Sequence, residues 1–211
     1  MKNIEIYYYK DPFEHFLIPN FFVQDELENV IKELDFIKST EAFTDKQEAL
    51  GTSKKEGIGY IAKRQGIFLN SYFNSNNFRS ISHIYKGLKK IYEKSFMNEI
   101  CKQSTYTKLL SLTNHDNVLV SNYKHGDIYA SHHDLSIFTV LVYIWDKKTF
   151  TGGDLVFKDY DFKIEPHNNL AVIFPGQENH EVTEIISTDG DMEGYKRTCI
   201  SMFINLNPDK G

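Results

Sequence analysis

Beyond Asn117 the chain breaks into short apolar stretches separated by turn residues, and that pattern restricts its fold more than any other feature. The stretches are NVLVSNYK, IYASHHD, FTVLVYIW, DLVFKD, FKIEP, LAVIFPG, HEVTEIIS and YKRTCISMFINL. Between them lie HGD (125–127), TGG (151–153), PHNN (166–169) and TDGDMEG (188–194), all rich in residues that accept turn geometry. Eight short strands at such intervals predict a double-sheet jelly roll.

Ahead of Asn117 the pattern is different. HFLIPNFF (15–22) reads as a strand interrupted by Pro19 and Asn20, and Leu27, Val30, Ile31 and Leu34 then form one apolar helical stripe. Residues 38–59 are polar, mixed in charge and Gly-containing towards their end; a solvated loop and a lid over a site are equal readings. IGYIAKRQGIFLNSYF (58–73) alternates as one or two strands around Gly66. A second helix is expected from Asn76 to Ile100, with Ile81, Ile84, Leu88, Ile91 and Phe96 inward and Lys86, Lys89, Lys90 and Lys94 on a solvated face. A short third helix covers Thr105 to Leu112. The expected fold class is therefore α+β: a jelly-roll core at 117–207, with a helix-rich support region at 1–116 packed on one sheet. All of it forms a single domain over 1–211.

Composition narrows the function. A net charge of -5, spread along the chain, argues against a nucleic-acid backbone as partner. Neither a signal peptide's apolar core nor a stretch of transmembrane length is present, so a cytoplasmic protein without a membrane partner is expected. Two cysteines, Cys101 and Cys199, make no disulfide framework and read as small buried apolar residues.

Within IYASHHD, strand alternation puts His132 and Asp134 on one face and turns His133 away. His180 opens another apolar run, and pairing of the two strands would bring it opposite His132. Two histidines and one carboxylate form the facial triad of non-haem Fe(II) oxygenases, which leaves coordination positions open. Arg197 opens the last strand.

The ordered set His132, Asp134, His180 and Arg197 resembles that of the Fe(II)- and 2-oxoglutarate-dependent dioxygenases, and within them the prolyl 4-hydroxylase-like group. NYKHGDIYASHHD is similar to the group's Y-x-x-G-x-x-Y-x-x-H-x-D segment, and TVLVYIW followed by TGGDLVF to its apolar strand and GG turn. LAVIFPG and HEV match its later strands, while AKRQGIFL resembles an R-x-x-G-x-F-L segment bordering the site. The resemblance implies a double-stranded β-helix core in which His132, Asp134 and His180 are the metal ligands and catalytic residues. It implies Fe(II), 2-oxoglutarate as co-substrate, O2, and ascorbate as a candidate reductant. Arg197 would bind the C5 carboxylate of 2-oxoglutarate, with Tyr143, Thr139 and Tyr123 lining the same co-substrate pocket. Arg64 and Tyr129 would lie on the substrate side, although Arg64 reads equally as a surface arginine.

The implied reaction decarboxylates 2-oxoglutarate to succinate and CO2 and hydroxylates an unactivated C–H bond. The substrate would be a prolyl residue of a peptide or protein; a free amino acid or other small molecule is the alternative, and a non-catalytic metal-binding jelly roll a third reading. Nucleic-acid demethylases of this fold add an arginine six positions after the first, where this chain has Phe203.

The gap of 17 positions from His180 to Arg197 is longer than is usual for the group, because STDGDMEGY forms an extended turn. A one-residue slip there would select Lys196 instead of Arg197. His15, His83, His115, His125, His133 and His167 read as ordinary polar or surface histidines, with His133 near the substrate. Gly152 and Gly153 read as turn residues with positive φ, and Trp145 as core.

Overall fold

The computed structural model describes residues 4–40, 54–55, 59–60 and 62–207. Among these, the strands of the first half are β1 (Tyr7–Tyr9), β2 (His15–Ile18), β3 (Lys54–Lys55), β4 (Gly59–Tyr60), β5 (Ala62–Lys63), β6 (Gln65–Phe68), β7 (His115–Tyr123) and β8 (Ile128–His132). Those of the second half are β9 (Phe138–Ile144), β10 (Phe150–Gly152), β11 (Leu155–Phe157), β12 (Phe162–Ile164), β13 (Ala171–Pro175), β14 (His180–Val182), β15 (Ile185–Ser187) and β16 (Arg197–Asn205). The helices are α1 (Gln24–Ser39), α2 (Asn76–Arg79), α3 (His83–Leu88) and α4 (Lys94–Cys101). The result is a mixed helix-and-sheet fold with antiparallel sheets.

A seven-stranded sheet runs in the order β1-β2-β13-β9-β16-β7-β6, and a five-stranded sheet in the order β12-β11-β14-β8-β5. Strand alternation makes the larger sheet two-faced. Phe138, Val140, Val142 and Ile144 of β9, Ala171 and Ile173 of β13, and Ile200, Met202 and Ile204 of β16 belong to one buried cluster, shared with Val30, Leu34 and Ile37 of α1 and with Ile84, Leu88, Phe96 and Ile100. The intervening residues Leu141, Tyr143, Val172, Phe174 and Cys199 belong to another, shared with Leu155, Phe157, Ile164 and Val182 of the five-stranded sheet. Every residue of β9 is buried, as expected of a strand covered on both faces. Each fully buried Val, Leu, Ile or Phe contributes about 1.5–3 kcal/mol of transfer free energy.

The apolar stripe of α1 faces the core as expected, and Glu26 in its first turn accepts the Val23 N–H at 3.1 Å. The expected helix from Asn76 to Ile100 is instead four pieces: α2, α3, a 3₁₀ turn at Lys89–Tyr92, and α4. A serine starts it and a second one interrupts it. Ser75 and Ser82 cap α2 and α3 through side-chain oxygens that accept from Phe78 N and Tyr85 N, and Glu33 of α1 accepts from Ser82 Oγ and Ile84 N at 2.6 and 2.9 Å. Ile81, in the break, is consequently exposed, contrary to the expected inward position. Lys90 does not lie on a solvated face: it is buried, donates to Phe21 O at 2.7 Å and pairs with Glu26. The third helix is a 3₁₀ turn at Thr107–Leu112.

HEVTEIIS divides into β14 and β15, which join different sheets: β14 pairs with β8 and β11, whereas β15 pairs with β10, a strand the sequence pattern had assigned to a turn. The Glu184 carbonyl at the division lies where a Cβ on Gly152 would be, and Gly152 and Gly153 both have positive φ (72° and 74°), as expected. His15 is buried rather than at the surface; its Nδ1 meets Phe13 O at 2.9 Å. Of the stretch read as a loop or lid, 41–53 and 56–58 lie outside the described residues, while Lys54–Lys55 and Gly59–Tyr60 pair as β3 and β4. No helix among the described residues is long and apolar enough to cross a membrane.

Asn169 ties the N-terminal segment to the larger sheet. Its φ is 60°, its amide accepts from Phe22 N at 2.9 Å and donates to Phe22 O at 2.7 Å, and it is buried. Asn169→Ala should lower the free energy of unfolding by about 2–4 kcal/mol, from two lost buried hydrogen bonds and a left-handed residue with a Cβ. Asn169→Gly should cost about 1 kcal/mol less because the backbone strain is relieved. Urea denaturation of the two variants measures the difference.

Candidate metal centre

The register of β8 against β14 builds the centre. His180 is the direct antiparallel partner of His132, so the two imidazoles emerge side by side on one face, with ring centroids 4.3 Å apart. Each ring is oriented from behind: His132 Nδ1 meets Ala130 O at 2.8 Å, and His180 Nδ1 meets Glu178 O at 2.9 Å. A carbonyl accepts only, so both Nδ1 atoms carry the proton, and both Nε2 lone pairs face the carboxylate of Asp134. His132 Nε2 lies 3.5 Å from Asp134 Oδ1, and His180 Nε2 lies 3.5 Å from Oδ2.

Asp134 reaches this position differently from the sequence expectation. β8 ends at His132, so the carboxylate is not presented by strand alternation. The bend after the strand is fixed by the Asp134 N–H donating to Gly176 O at 2.8 Å and by Gln177 Nε2 donating to Asp134 O at 3.2 Å. The carboxylate itself is held by the Thr139 hydroxyl, which donates to Oδ2 at 2.6 Å and shares a 2.9 Å contact with Ser136 Oγ. Ser136 and Gln177 carried no motif in the sequence. His133 does turn away, exposed, with Nδ1 against Gln177 O at 2.7 Å.

One ligand atom from each of His132, Asp134 and His180 lies within 4.8 Å of the others, and all three residues are buried. Burial pushes the His180 imidazole down to about 4, against the opposing pull of Asp134. Burial alone would raise the Asp134 carboxyl, but the imidazoles of His132 and His180 beside it and the hydrogen bond from the Thr139 hydroxyl hold it below its usual range. Two neutral imidazoles and one carboxylate, converging from one side, are the donor set of a metal with open positions; the residues present fit a ferrous ion.

Arg197, the first residue of β16, is 1% exposed. Its guanidinium lies over the rings of Tyr123 (4.6 Å) and Tyr143 (5.1 Å), and Nη1 donates to the Gly153 carbonyl. Nε and Nη2 have no hydrogen-bond partner among the described residues, and neither does the Tyr143 hydroxyl. Burial raises the pKa values of Tyr123 and Tyr143, so both phenols are neutral. Lys196 faces the other way, its Nζ 2.7 Å from Asp189 and 3.4 Å from Asp191 in the preceding turn.

Arg64 is not a surface arginine: it is 2% exposed, with its guanidinium 4.7 Å from the centroid of the Tyr129 ring. Tyr129 in turn stacks on His132 at 3.8 Å. Trp145 packs edge-on against Phe150 at the margin of the inter-sheet cluster. Cys199 is buried, which raises its thiol pKa, and Cys101 is half-buried. His115 and His125 are half-buried, and His83 and His167 are exposed.

Comparison with known proteins agrees with this geometry. Residues 118–205 match the family model of the 2OG-Fe(II) oxygenase superfamily. Among curated proteins none matches the sequence. Among solved structures, the chain is similar to a prolyl hydroxylase from Trichoplax adhaerens, solved with a hypoxia inducible factor oxygen degradation domain peptide fragment (15% identity, TM-score 0.61, 90% of this chain and 83% of that one). It is also similar to a viral collagen prolyl hydroxylase from Paramecium Bursaria Chlorella virus-1 in a 2OG complex (16%, 0.53, 92% and 96%) and to a prolyl-4-hydroxylase from Pseudomonas putida (14%, 0.52, 92% and 92%). At these identities the likeness is one of fold. The matched span, 118–205, runs from within β7 to the end of β16 and carries His132, Asp134, His180 and Arg197.

Proposed function

We propose that this protein is an Fe(II)- and 2-oxoglutarate-dependent dioxygenase of the prolyl 4-hydroxylase-like group that hydroxylates prolyl residues of a peptide or protein. The observation that carries the reading is the convergence of His132, Asp134 and His180 beside a buried Arg197 whose Nε and Nη2 lack partners. The two sheets are read as the halves of a double-stranded β-helix, within a single domain over 1–211 in which 1–116 supports a catalytic core at 117–207. The fold likeness to three prolyl hydroxylases supports the prolyl substrate. Free amino acids and other small molecules form the second reading, favoured by the buried cation Arg64 on the substrate side of His132.

His132 and His180 would hold the ferrous ion through Nε2 and Asp134 through one carboxylate oxygen. Bound there with 2-oxoglutarate, the ion supplies O2 activation, with ascorbate as a candidate reductant. Everything else is positioning. The carbonyls of Ala130 and Glu178 keep both imidazoles in the ligating tautomer, and Thr139 fixes the carboxylate rotamer from behind. Arg197 offers a forked, permanently charged donor to the C5 carboxylate of 2-oxoglutarate, with the Tyr143 hydroxyl as a further donor and Tyr123 as the wall between. The burial of these side chains strengthens each of these contacts.

The full chain loaded anaerobically with Fe(II) and 2-oxoglutarate should show a metal-to-ligand charge-transfer absorption band, absent in Asp134→Ala and His180→Ala. Bound iron without the band in the parent protein would overturn the oxygenase assignment. Titrating the same band should show a 2-oxoglutarate requirement raised by about 30-fold or more in Arg197→Ala, the equivalent of about 2–5 kcal/mol for a buried carboxylate losing its partner. Lys196→Ala should change it little, since that lysine is already spent on Asp189. Succinate production coupled to a gain of one oxygen, screened over proline-containing peptides and free amino acids, separates the two substrate readings.

A further inference from the structure

A second buried guanidinium stands across from Arg197. Gln65 of β6 pairs with Asn122 of β7, and Tyr123 of β7 pairs with Arg197 of β16. Arg64 is the bend residue where the chain passes from β5 in the smaller sheet to β6 in the larger one, immediately before Gln65, so it stands at the end of the β6–β7–β16 ladder that carries Tyr123 and Arg197. The electrostatics agree: burial raises the Tyr123 pKa, and both Arg64 and Arg197 oppose that rise. Arg64 is as buried as Arg197, and its Nε and Nη1 have no hydrogen-bond partner among the described residues. The neighbouring Tyr129 is a neutral ring, its hydroxyl pKa raised by burial. No carboxylate among the described residues forms an ion pair with Arg64.

A permanently charged group with two orphaned donors at this depth is costly unless an anion meets it. The two arginines cannot serve the same purpose. Arg197 lies against Tyr143 and the Gly153 carbonyl, whereas Arg64 lies over Tyr129, whose ring stacks on the ligand His132. Arg64 is thus a single ring away from the metal centre. Tyr129 touches both the Arg64 guanidinium and the His132 imidazole, so an anion held by Arg64 would stand beside the candidate metal centre.

Resting on the oxygenase reading, we propose that Arg64 is a second carboxylate-binding residue, and that the substrate oxidised here is an acid whose carboxylate docks on Arg64 beside Tyr129. Two sources can present that group: the main-chain carboxylate of a free amino acid, or an acidic side chain next to the oxidised residue of a peptide. The forked donor favours a bidentate carboxylate over a neutral peptide carbonyl, which leaves the positive charge unmatched.

The test is calorimetric titration of the full chain, loaded anaerobically with Fe(II) and 2-oxoglutarate, with L-proline and with the peptide acetyl-Glu-Pro-Glu-amide. Each is run beside the counterpart that lacks the carboxylate, L-prolinamide and acetyl-Gln-Pro-Gln-amide. At least one acid should bind, its counterpart roughly 30-fold or more weaker. Arg64→Gln should bring the acid down to the level of the amide, Arg64→Lys should recover part of the loss, and the charge-transfer band from Fe(II) and 2-oxoglutarate should persist in both variants. Whichever acid responds identifies the source. Equal binding of acid and amide, binding of neither acid, or an acid affinity untouched by Arg64→Gln overturns the proposal. A parent protein that binds iron yet forms no charge-transfer band speaks against the oxygenase reading instead, and calorimetry still reports on Arg64.

Discussion

One strand pairing determines the centre: β8 against β14, with His132 directly opposite His180. Side chains alternate along a strand with period two, so a slip of one residue in either partner would send one imidazole to the opposite face of the sheet. Every neighbouring contact reinforces this register. β14 is also held from its other side by β11, the two histidines are locked by carbonyls two residues upstream, and the bend after His132 is pinned by Gly176 and Gln177. Asp134 is placed by that bend and by Thr139, which reaches it from β9 in the larger sheet. The candidate donor set thus belongs to the smaller sheet and is braced from the larger one through Thr139, with the apolar cluster between the sheets holding the two together.

The larger sheet achieves this by being two-faced. Its central strands β9, β13 and β16 put one set of side chains against the helices and the alternate set against the smaller sheet. Only the second set includes chemistry: Thr139, Tyr143 and Arg197 fall on it because they share parity with Leu141 and Cys199. Burying Arg197 there is expensive by itself, and the Gly153 carbonyl with two aromatic faces offsets only part of that cost. The same turn supplies room, since a Cβ on Gly153 would stand 2.9 Å from Arg197 Nη1.

Much of this was legible in the sequence because alternation and turn residues are local signals. Seven of the eight apolar stretches beyond Asn117 became single strands near their expected bounds, and the opposition of His132 and His180 follows from the stretches that hold them. The misreadings come from places where a non-local contact decides. HEVTEIIS looks like one strand, yet the Glu184 carbonyl seated against Gly152 divides it between two sheets. The apolar period from Asn76 to Ile100 suits one helix, but the capping contact from Glu33, distant in sequence, begins a new helix at Ser82. Lys90 carries the charge of a surface residue, and only the approach of Glu26 and Phe21 makes its burial tolerable. Arg64 is the same case with no ion-pair partner among the described residues, which no local pattern could reveal.

That absence also bears on charge balance. With a ferrous ion and 2-oxoglutarate bound as proposed, the ion, Arg64 and Arg197 would bring four positive charges to the site, and Asp134 and the two carboxylates of 2-oxoglutarate three negative ones. Tyr123, Tyr129 and Tyr143 stay neutral because burial raises their pKa values, and Lys196 is compensated outside by Asp189 and Asp191. Among the described residues one positive charge would then remain unmatched, on Arg64, whose guanidinium lies over the Tyr129 ring that stacks on His132. In a low-dielectric site such an imbalance disfavours a neutral ligand relative to an anionic one, because the unmatched guanidinium keeps its full desolvation cost. A carboxylate on the substrate removes that cost only when substrate is bound, which couples closure of the charge balance to arrival of the molecule to be oxidised.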